Sequence, residues 1–352
     1  LLIVSCDDPP PRPPAVVQPP AAELRTVLSL RANQQTLLAA GSGGRVFFSQ
    51  PNANAAVQSL GNDGKVRPTA LTAENVAQRL GKPAGDGRVQ AFATLDNGDL
   101  LAYFQGIARR ESLACLVLYQ PSSDNLRVLA TPEELATASK LGSAIDLAEV
   151  QMVRAGQSIW LWLRTFDQSI FLQIDTRQLS GDSLRLARPF TQLKTDGQPF
   201  RFARDDTLFG QLDGTLHLLR RSSGELWSIG RDGVALPIAP VPDTPQRSVP
   251  PLLVRDDATE QRKRWLHFFP FDNFSLDTGV PGVLGNEVRY PALRLEFDGQ
   301  QHHLDRDALQ TRPAFPLHAL RLTNWIVEPA TNDVIAYDAM SGEIFRIIFS
   351  HI

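Results

Sequence analysis

A short turn recurs along this chain with a strand-forming run beside it, and that recurrence limits its fold more than any other feature. The turns are Asn62-Asp63-Gly64, Ser122-Ser123-Asp124-Asn125, Leu179-Ser180-Gly181-Asp182, Ser222-Ser223-Gly224-Glu225, Asp298-Gly299 and Met340-Ser341-Gly342-Glu343. Each is built around Ser, Asp, Asn or Gly, which close hairpins by local hydrogen bonding or by tolerating positive φ. Their key positions, 64, 124, 181, 224, 299 and 342, are separated by 60, 57, 43, 75 and 43 residues. A further strand-forming run lies upstream of each turn, at 45–48, 99–103, 158–162, 207–210, 264–268 and 324–327. Six such units in tandem predict an all-β chain, a β-propeller of about six blades. A β-sandwich, or two β domains with common hairpin turns, is the competing arrangement.

The strand candidates are short and rich in Val, Ile, Leu, Phe and Trp: 45–49, 100–104, 113–119, 159–163, 170–174, 216–219, 265–269, 293–297 and 334–337. Helical signals are few. Thr131-Pro132-Glu133-Glu134 reads as a cap, a first-turn proline and a capping box leading into 135–141. Residues 72–80 form a second short candidate, so the propeller carries short helical insertions in its loops. Long connections at 132–147 and 272–290 account for a spacing wider than the ~40–45 residues of WD-type repeats. A closed ring needs an early segment to complete the last blade, and 26–30 is the candidate closing strand.

The first residues, Leu1-Leu2-Ile3-Val4-Ser5, form an apolar run ending in a small residue directly before Cys6. Ile3-Val4-Ser5-Cys6 resembles the lipobox of bacterial lipoproteins, in which a diacylglyceryl group is attached to the Cys thiol before cleavage. Ile3 stands where that family usually has Leu, and the resemblance covers only these few residues. It implies that 1–6 are the remnant of a signal peptide with Cys6 as the lipidated residue. It also implies a lipid bilayer as partner through acylated Cys6, and a place in the bacterial cell envelope facing the periplasm or exterior. Asp7 follows the Cys, the residue that marks inner-membrane retention in enterobacterial lipoproteins. A frayed strand with an ordinary thiol is the alternative. Residues 7–23, crowded with proline, read as an extended tether, and 24–352 as the propeller domain. No later apolar run is long enough to span a membrane.

The segment Val334-Ile335-Ala336-Tyr337-Asp338-Ala339-Met340-Ser341-Gly342-Glu343-Ile344-Phe345 resembles the repeat of quinoprotein-like propellers, in outline (V/L)xAxDAxTGxxxW. Asp338, Ala339 and Gly342 match, and Phe345 replaces the Trp. A lipoprotein with a tethered propeller resembles, in outline, an outer-membrane assembly factor that works as a scaffold.

Chemistry-bearing motifs are scarce. Lys and Arg total 35 against 38 Asp and Glu, a net charge of −3 that argues against nucleic acid as a partner. Two cysteines exclude a disulfide-dense scaffold and a Cys-rich zinc domain. No nucleophile elbow, His-Glu-x-x-His or phosphate loop occurs, and no cofactor is indicated. Gly41-Ser42-Gly43-Gly44 runs into a strand and reads as a tight turn. His302, His303 and Asp305 are metal-ligand types, yet consecutive histidines in a strand point to opposite faces and need a bend to share one ion. Asp205-Asp206 and Asp256-Asp257 read as solvated turns, not Ca²⁺ loops. Cys115 lies in an apolar strand and reads as an inert buried thiol. Trp160 and Trp162 alternate with Ile159, Leu161 and Leu163, which predicts packing between blades on both faces; a carbohydrate-stacking platform is the alternative.

These features favour a non-enzymatic, membrane-anchored module whose propeller presents one face to an envelope protein or glycan. The alternative is a propeller hydrolase or lyase acting on an envelope saccharide. Acids and histidines gathered at one mouth of the ring would favour the enzyme. Arg, Gln and Ser beside an apolar patch would favour the scaffold.

Overall fold

A computed structural model of the chain describes residues 21–32, 36–50, 57–138, 149–164, 169–175, 186–190, 193–203, 205–220, 222–230, 232–238, 252–257, 262–269, 283–284, 287–288, 292–297, 300–304, 309–312, 322–328, 331, 333–338 and 341–350. Within them, short β-rich runs pair with their sequence neighbours into six antiparallel meanders. Blade 1 comprises Leu37–Ala40, Val46–Ser49, Gln58–Leu60 and Val66–Pro68. Blade 2 comprises Asp86–Thr94, Leu100–Ala108, Cys115–Gln120 and Asn125–Ala130, with Glu111–Ser112 paired to its second strand. Blade 3 comprises Glu149–Ala155, Ser158–Arg164, Ser169–Asp175 and Leu186–Phe190; blade 4, Asp206–Gly210, Leu216–Arg220, Glu225–Ile229 and Ala235–Ile238. Blade 5 comprises Leu252–Asp257, Arg262–Phe269, Ala292–Phe297 and Gln300–Leu304.

Blade 6 uses both ends of the described chain. Leu322–Val327, Val334–Asp338 and Glu343–Ser350 are followed in the sheet by Ala21–Ser29. The closing strand, expected over 26–30, thus pairs antiparallel along the whole last strand, from Ala21 opposite Ser350 to Ser29 opposite Glu343. Leu309–Arg312 adds a parallel strand to its outer edge. The first strand of blade 1 lies against those of blades 2 and 6, blade 3's against those of blades 2 and 4, and blade 5's against that of blade 6. First strands therefore form the inner wall. The chain folds as a β-propeller.

Blades cohere by interleaved apolar faces, because alternate residues of a strand point to opposite neighbours. Ile159, Leu161 and Leu163 pack with Leu101, Leu116 and Leu118 of blade 2. From the same strand, Trp160 and Trp162 pack with Leu216, Leu218 and Trp227 of blade 4. The expected two-sided packing is observed, and both indoles are buried, which removes the sugar-stacking platform. Full burial of an aliphatic side chain such as Leu161 stabilises by roughly 1.5–3 kcal/mol. The two short helices form as their caps direct. Ala73–Arg79 starts where Asn75 N donates to Thr72 Oγ1 at 3.1 Å. At Pro132–Ala138, Thr131 N donates to Glu134 Oε2 at 2.7 Å and Glu134 N to Thr131 Oγ1 at 3.3 Å.

The six turns that announced the repeat occupy two different places. Positions 64 and 124 join third to fourth strands, as do the runs around 181 and 299, where the turn residues themselves lie outside the described residues. Positions 224 and 342 join second to third strands. That shift of one strand produces the irregular 43-, 75- and 43-residue spacings.

Candidate functional site

In every meander the turns between strands 1–2 and 3–4 lie at one end of the blade. The 2–3 turns and the links between blades lie at the other. The two ends differ in chemistry. At the first, the turn face, four connections share one construction: 61–65, 95–99, 211–215 and 230–234. In each, Asp63, Asn97, Asp213 or Asp232 accepts through Oδ1 from the backbone N–H two residues on, at 3.0–3.1 Å. The glycine that follows has φ between 72° and 88°, a conformation an L side chain resists. The Arg67 guanidinium, bonded to Asp63, holds that carboxyl below its ordinary value.

Links between blades tie the turn face together. Thr94 Oγ1 of blade 2 donates to Ala40 O of blade 1 at 2.5 Å. Arg154 of blade 3 pairs with Asp96 of blade 2 and donates to Thr94 O at 3.4 Å. Gly156 N donates to Gln211 O of blade 4 at 2.8 Å. Arg346 of blade 6 reaches Gly44 O of blade 1 at 3.1 Å while pairing with buried Glu328 at 2.6 Å. Gly41-Ser42-Gly43-Gly44 is the expected tight turn, a single 3₁₀ turn running into a strand.

The opposite end, the loop face, carries the ornaments. Both helices, the Lys194–Thr195/Gln198–Pro199 ribbon, the Val283–Leu284/Glu287–Val288 ribbon and the Glu111–Ser112 strand all belong to its connections in the chain. Two of these connections also reach 3–4 turns: Ala70 N donates to Asp124 Oδ1 and Lys194 N to Gly233 O, both at 3.1 Å. The link between blades 3 and 4 is the most elaborately held. Phe200 and Phe202 pack edge to face at 5.0 Å, Phe202 meets Trp162 at 4.9 Å, and Phe200 meets Trp227 at 5.2 Å. Arg220 fastens this cluster. Its Nε and Nη2 donate to Asp206 Oδ1 and Oδ2 at 2.9 and 3.2 Å, Nη2 donates to Arg201 O at 2.8 Å, and the guanidinium carbon stands 4.7 Å from the Trp227 ring centre. The bond to Asp206 raises Arg220 above its ordinary value. Gln151 of blade 3 then bonds the free inner edge of blade 4, donating to Asp206 O and accepting from Leu208 N, both at 2.9 Å.

Asp205-Asp206 is therefore no solvated turn. Asp206 opens a strand and is buried, and only Asp205 remains near water, held below its ordinary value chiefly by its hydrogen bond with Ser222. Asp256 and Asp257 end a strand opposite Lys263 and Arg262, again not a turn. Cys115 is buried as expected, and burial pushes its thiol up to about 12. His302 and His303 are consecutive residues of one strand, in register with Leu295 and Arg294. Asp305, Cys6 and Asp7 lie outside the described residues. Among the described residues no three His, Cys, Asp or Glu side chains gather as metal ligands. A cleft of about 220 Å³ beside helix Ala73–Arg79 is lined by polar groups that bond one another: Asn75 Nδ2 donates to Ala70 O at 2.8 Å and Arg79 Nη2 to Asn125 Oδ1 at 3.1 Å.

Sequence reading missed the Arg220–Asp206 pair, because charges 14 residues apart on neighbouring strands leave no pattern. It also missed Asn97-Gly98, Asp213-Gly214 and Asp232-Gly233, whose Asx-Gly steps were visible signals.

No protein-family model matches the sequence, and no curated protein does. Solved structures share the fold at low identity. A structural genomics protein of unknown function from Bacteroides thetaiotaomicron is 12% identical with a TM-score of 0.51, over 94% of this chain and 76% of that one. A gluconolactonase from Xanthomonas campestris is 13% identical with a TM-score of 0.48, over 95% of each chain. An auxiliary nutrient binding protein from Bacteroides ovatus is 8% identical with a TM-score of 0.49, over 92% and 70%. At 12% identity the first of these likenesses bears on the fold and on nothing finer.

Proposed function

We propose that this protein is a binding or scaffolding module of the bacterial envelope, anchored through acylated Cys6, whose loop face engages an envelope protein or glycan. The observation that carries the reading is the asymmetry between the two faces. Among the described residues, the turn-face connections at 61–65, 95–99, 211–215 and 230–234 are short and internally bonded, and others are tied from blade to blade, which leaves them little freedom to shape a recognition surface. Loop-face connections carry the insertions, and binding residues favour loops positioned by a rigid scaffold. The polar side chains that emerge there include Gln50, Arg88, Gln105, Arg109, Arg110 and Arg164, with Ile107 exposed among them. Exposed acids stand at the same end, Asp86, Glu111 and Glu225, so it is the arginines and the exposed isoleucine, not an absence of acids, that favour a partner surface.

The direction of the closing strand fits the same reading. It runs from Ala21, beside Ser350 at the turn face, to Ser29, beside Glu343 at the loop face. A tether joined at Ala21 would leave the loop face directed away from the bilayer.

Two measurements test this. A Cys6→Ser variant, expressed in a bacterial envelope with its leader, is expected in the soluble fraction; continued membrane attachment would refute the anchor. A photo-cross-linking residue placed at Gln105 should yield a discrete adduct in that envelope, and one at Asp213 on the turn face should not. Adducts from Asp213 alone would reverse the assignment of faces.

A further inference from the structure

The second strand of blade 2, Leu100–Ala108, has nine residues against four, seven and five in blades 1, 3 and 4. Its pairing with the third strand stops at Phe104, opposite Cys115. Beyond that it folds back on Glu111–Ser112, with Ile107 opposite Ser112 and Ala108 opposite Glu111. A small hairpin thus forms at the loop face, still paired on its other side with the first strand of the blade through Ile107. Its two-residue turn is Arg109-Arg110, at φ 46° and 79°. Two successive positive φ values belong to a type I′ turn, a place filled by Asn-Gly or Gly-Gly because larger side chains are crowded there. Among the described residues no other adjacent pair of non-glycines adopts positive φ.

Ile107 is 67% exposed, the most exposed large hydrophobic among the described residues. Arg109 and Arg110 are exposed, and neither has an ion-pair or hydrogen-bond partner among the described residues. Exposed Arg88 lies opposite Gln105, two register pairs along from Asp86 opposite Ile107. The hairpin's own acid, Glu111, lies 4.0 Å from Lys82, whose Nζ also donates to Ser112 O at 2.6 Å. With Asp86 and Glu111 as the acids and Lys82, Arg88, Arg109 and Arg110 as the cations, the tip carries a positive balance in a chain whose net charge is −3.

We infer that this hairpin docks an acidic segment of a partner protein, with Arg109 and Arg110 holding its carboxylates and Ile107 covering an apolar side chain. The inference rests on the reading of the loop face as the binding face. Arginine's planar fork matches carboxylate geometry. The exposed isoleucine beside it favours a protein over an acidic glycan, which offers carboxylates without aliphatic surface. A turn that keeps two arginines where Asn-Gly would relax the backbone retains strain at a functional position.

The test uses fluorescence anisotropy with the full chain and a labelled peptide alternating Glu and Leu. A Lys–Leu peptide and a uronic-acid oligomer serve as the comparisons. Wild type should bind the Glu–Leu peptide, more weakly at high salt. The Arg109→Asn/Arg110→Gly variant should bind at least about tenfold more weakly, the loss of one charge-assisted contact or more. Its melting temperature should equal or exceed that of wild type, which separates lost recognition from lost fold. Ile107→Ser should weaken binding without removing its salt dependence. No binding by wild type, equal binding by the double variant, or uronic-acid binding as tight as the peptide's each overturns the inference. Equal binding by the double variant, alongside cross-links from Gln105, refutes the hairpin and leaves the loop-face reading standing. Cross-links from Asp213 alone refute that reading itself.

Discussion

Replacing Arg220 by Ala strips the cation from a carboxylate that has no access to water. The Asp206 side chain is 0% exposed and that of Arg220 21%. The variant loses both fork bonds, the bond to Arg201 O and the stacking on Trp227. Breaking a buried pair by removing one partner costs about 3–5 kcal/mol. Asp206 Oδ2 keeps its bond from Ala203 N at 2.7 Å, which places the cost near the lower end of that range. Three kcal/mol is about a hundredfold in the folding equilibrium. Arg220→Lys keeps the charge but loses the fork and the stack, and should cost about 1–2 kcal/mol. Changing both partners, Asp206→Asn with Arg220→Leu, should recover much of the loss, since no bare charge then remains buried. Urea unfolding followed by tryptophan fluorescence reads all four proteins, because Trp160, Trp162 and Trp227 lie in the same cluster. A cost below about 1 kcal/mol for Arg220→Ala, or a double variant no more stable than Arg220→Ala, would refute the coupling.

Other outcomes follow from single contacts. In Gly342→Ala the new Cβ would lie 2.5 Å from Leu30 O at φ +77°; a loss of about 1–3 kcal/mol and faster proteolysis near the closing strand are expected, with unchanged stability as the contrary result. Cys115 should resist maleimide at pH 8 until the chain is unfolded. Because the folded thiol keeps its proton up to about 12 against an ordinary 9.0, its contribution to stability is full below that interval and lost as pH rises through it, which alkaline melting curves would show. Thr131→Ala should cost about 1 kcal/mol and quicken hydrogen exchange in Pro132–Ala138 alone; exchange unchanged there would show that the capping box is idle.

Local chemistry was legible where it is local. Thr131 caps the helix it was expected to cap, and Thr72 opens the second helical candidate, because a hydroxyl serves an N–H three residues away whatever the rest of the chain does. The alternation around Trp160 carried its packing on both sides, since strand geometry alone divides those residues between two faces. Position within a blade was not legible. Gly64 and Gly342 both permit positive φ, yet one closes strands 3–4 and the other strands 2–3. A turn dipeptide encodes a backbone angle, not the order of the strands around it. Asp206 was misplaced for a related reason: its partner comes from the next strand, and its burial depends on a loop from the preceding blade.

The closing strand also decides how the ring would bear force. Ala21–Ser29 lies alongside Glu343–Ser350 with its N-terminal end at the turn face. A pull applied upstream of Ala21 and resisted by something held at the loop face would act along the strand axis. Hydrogen bonds perpendicular to that axis would then be sheared together instead of being opened one after another. An antiparallel seam loaded in this direction is a strong place to attach a leash, and the same seam pulled sideways would open like a zip.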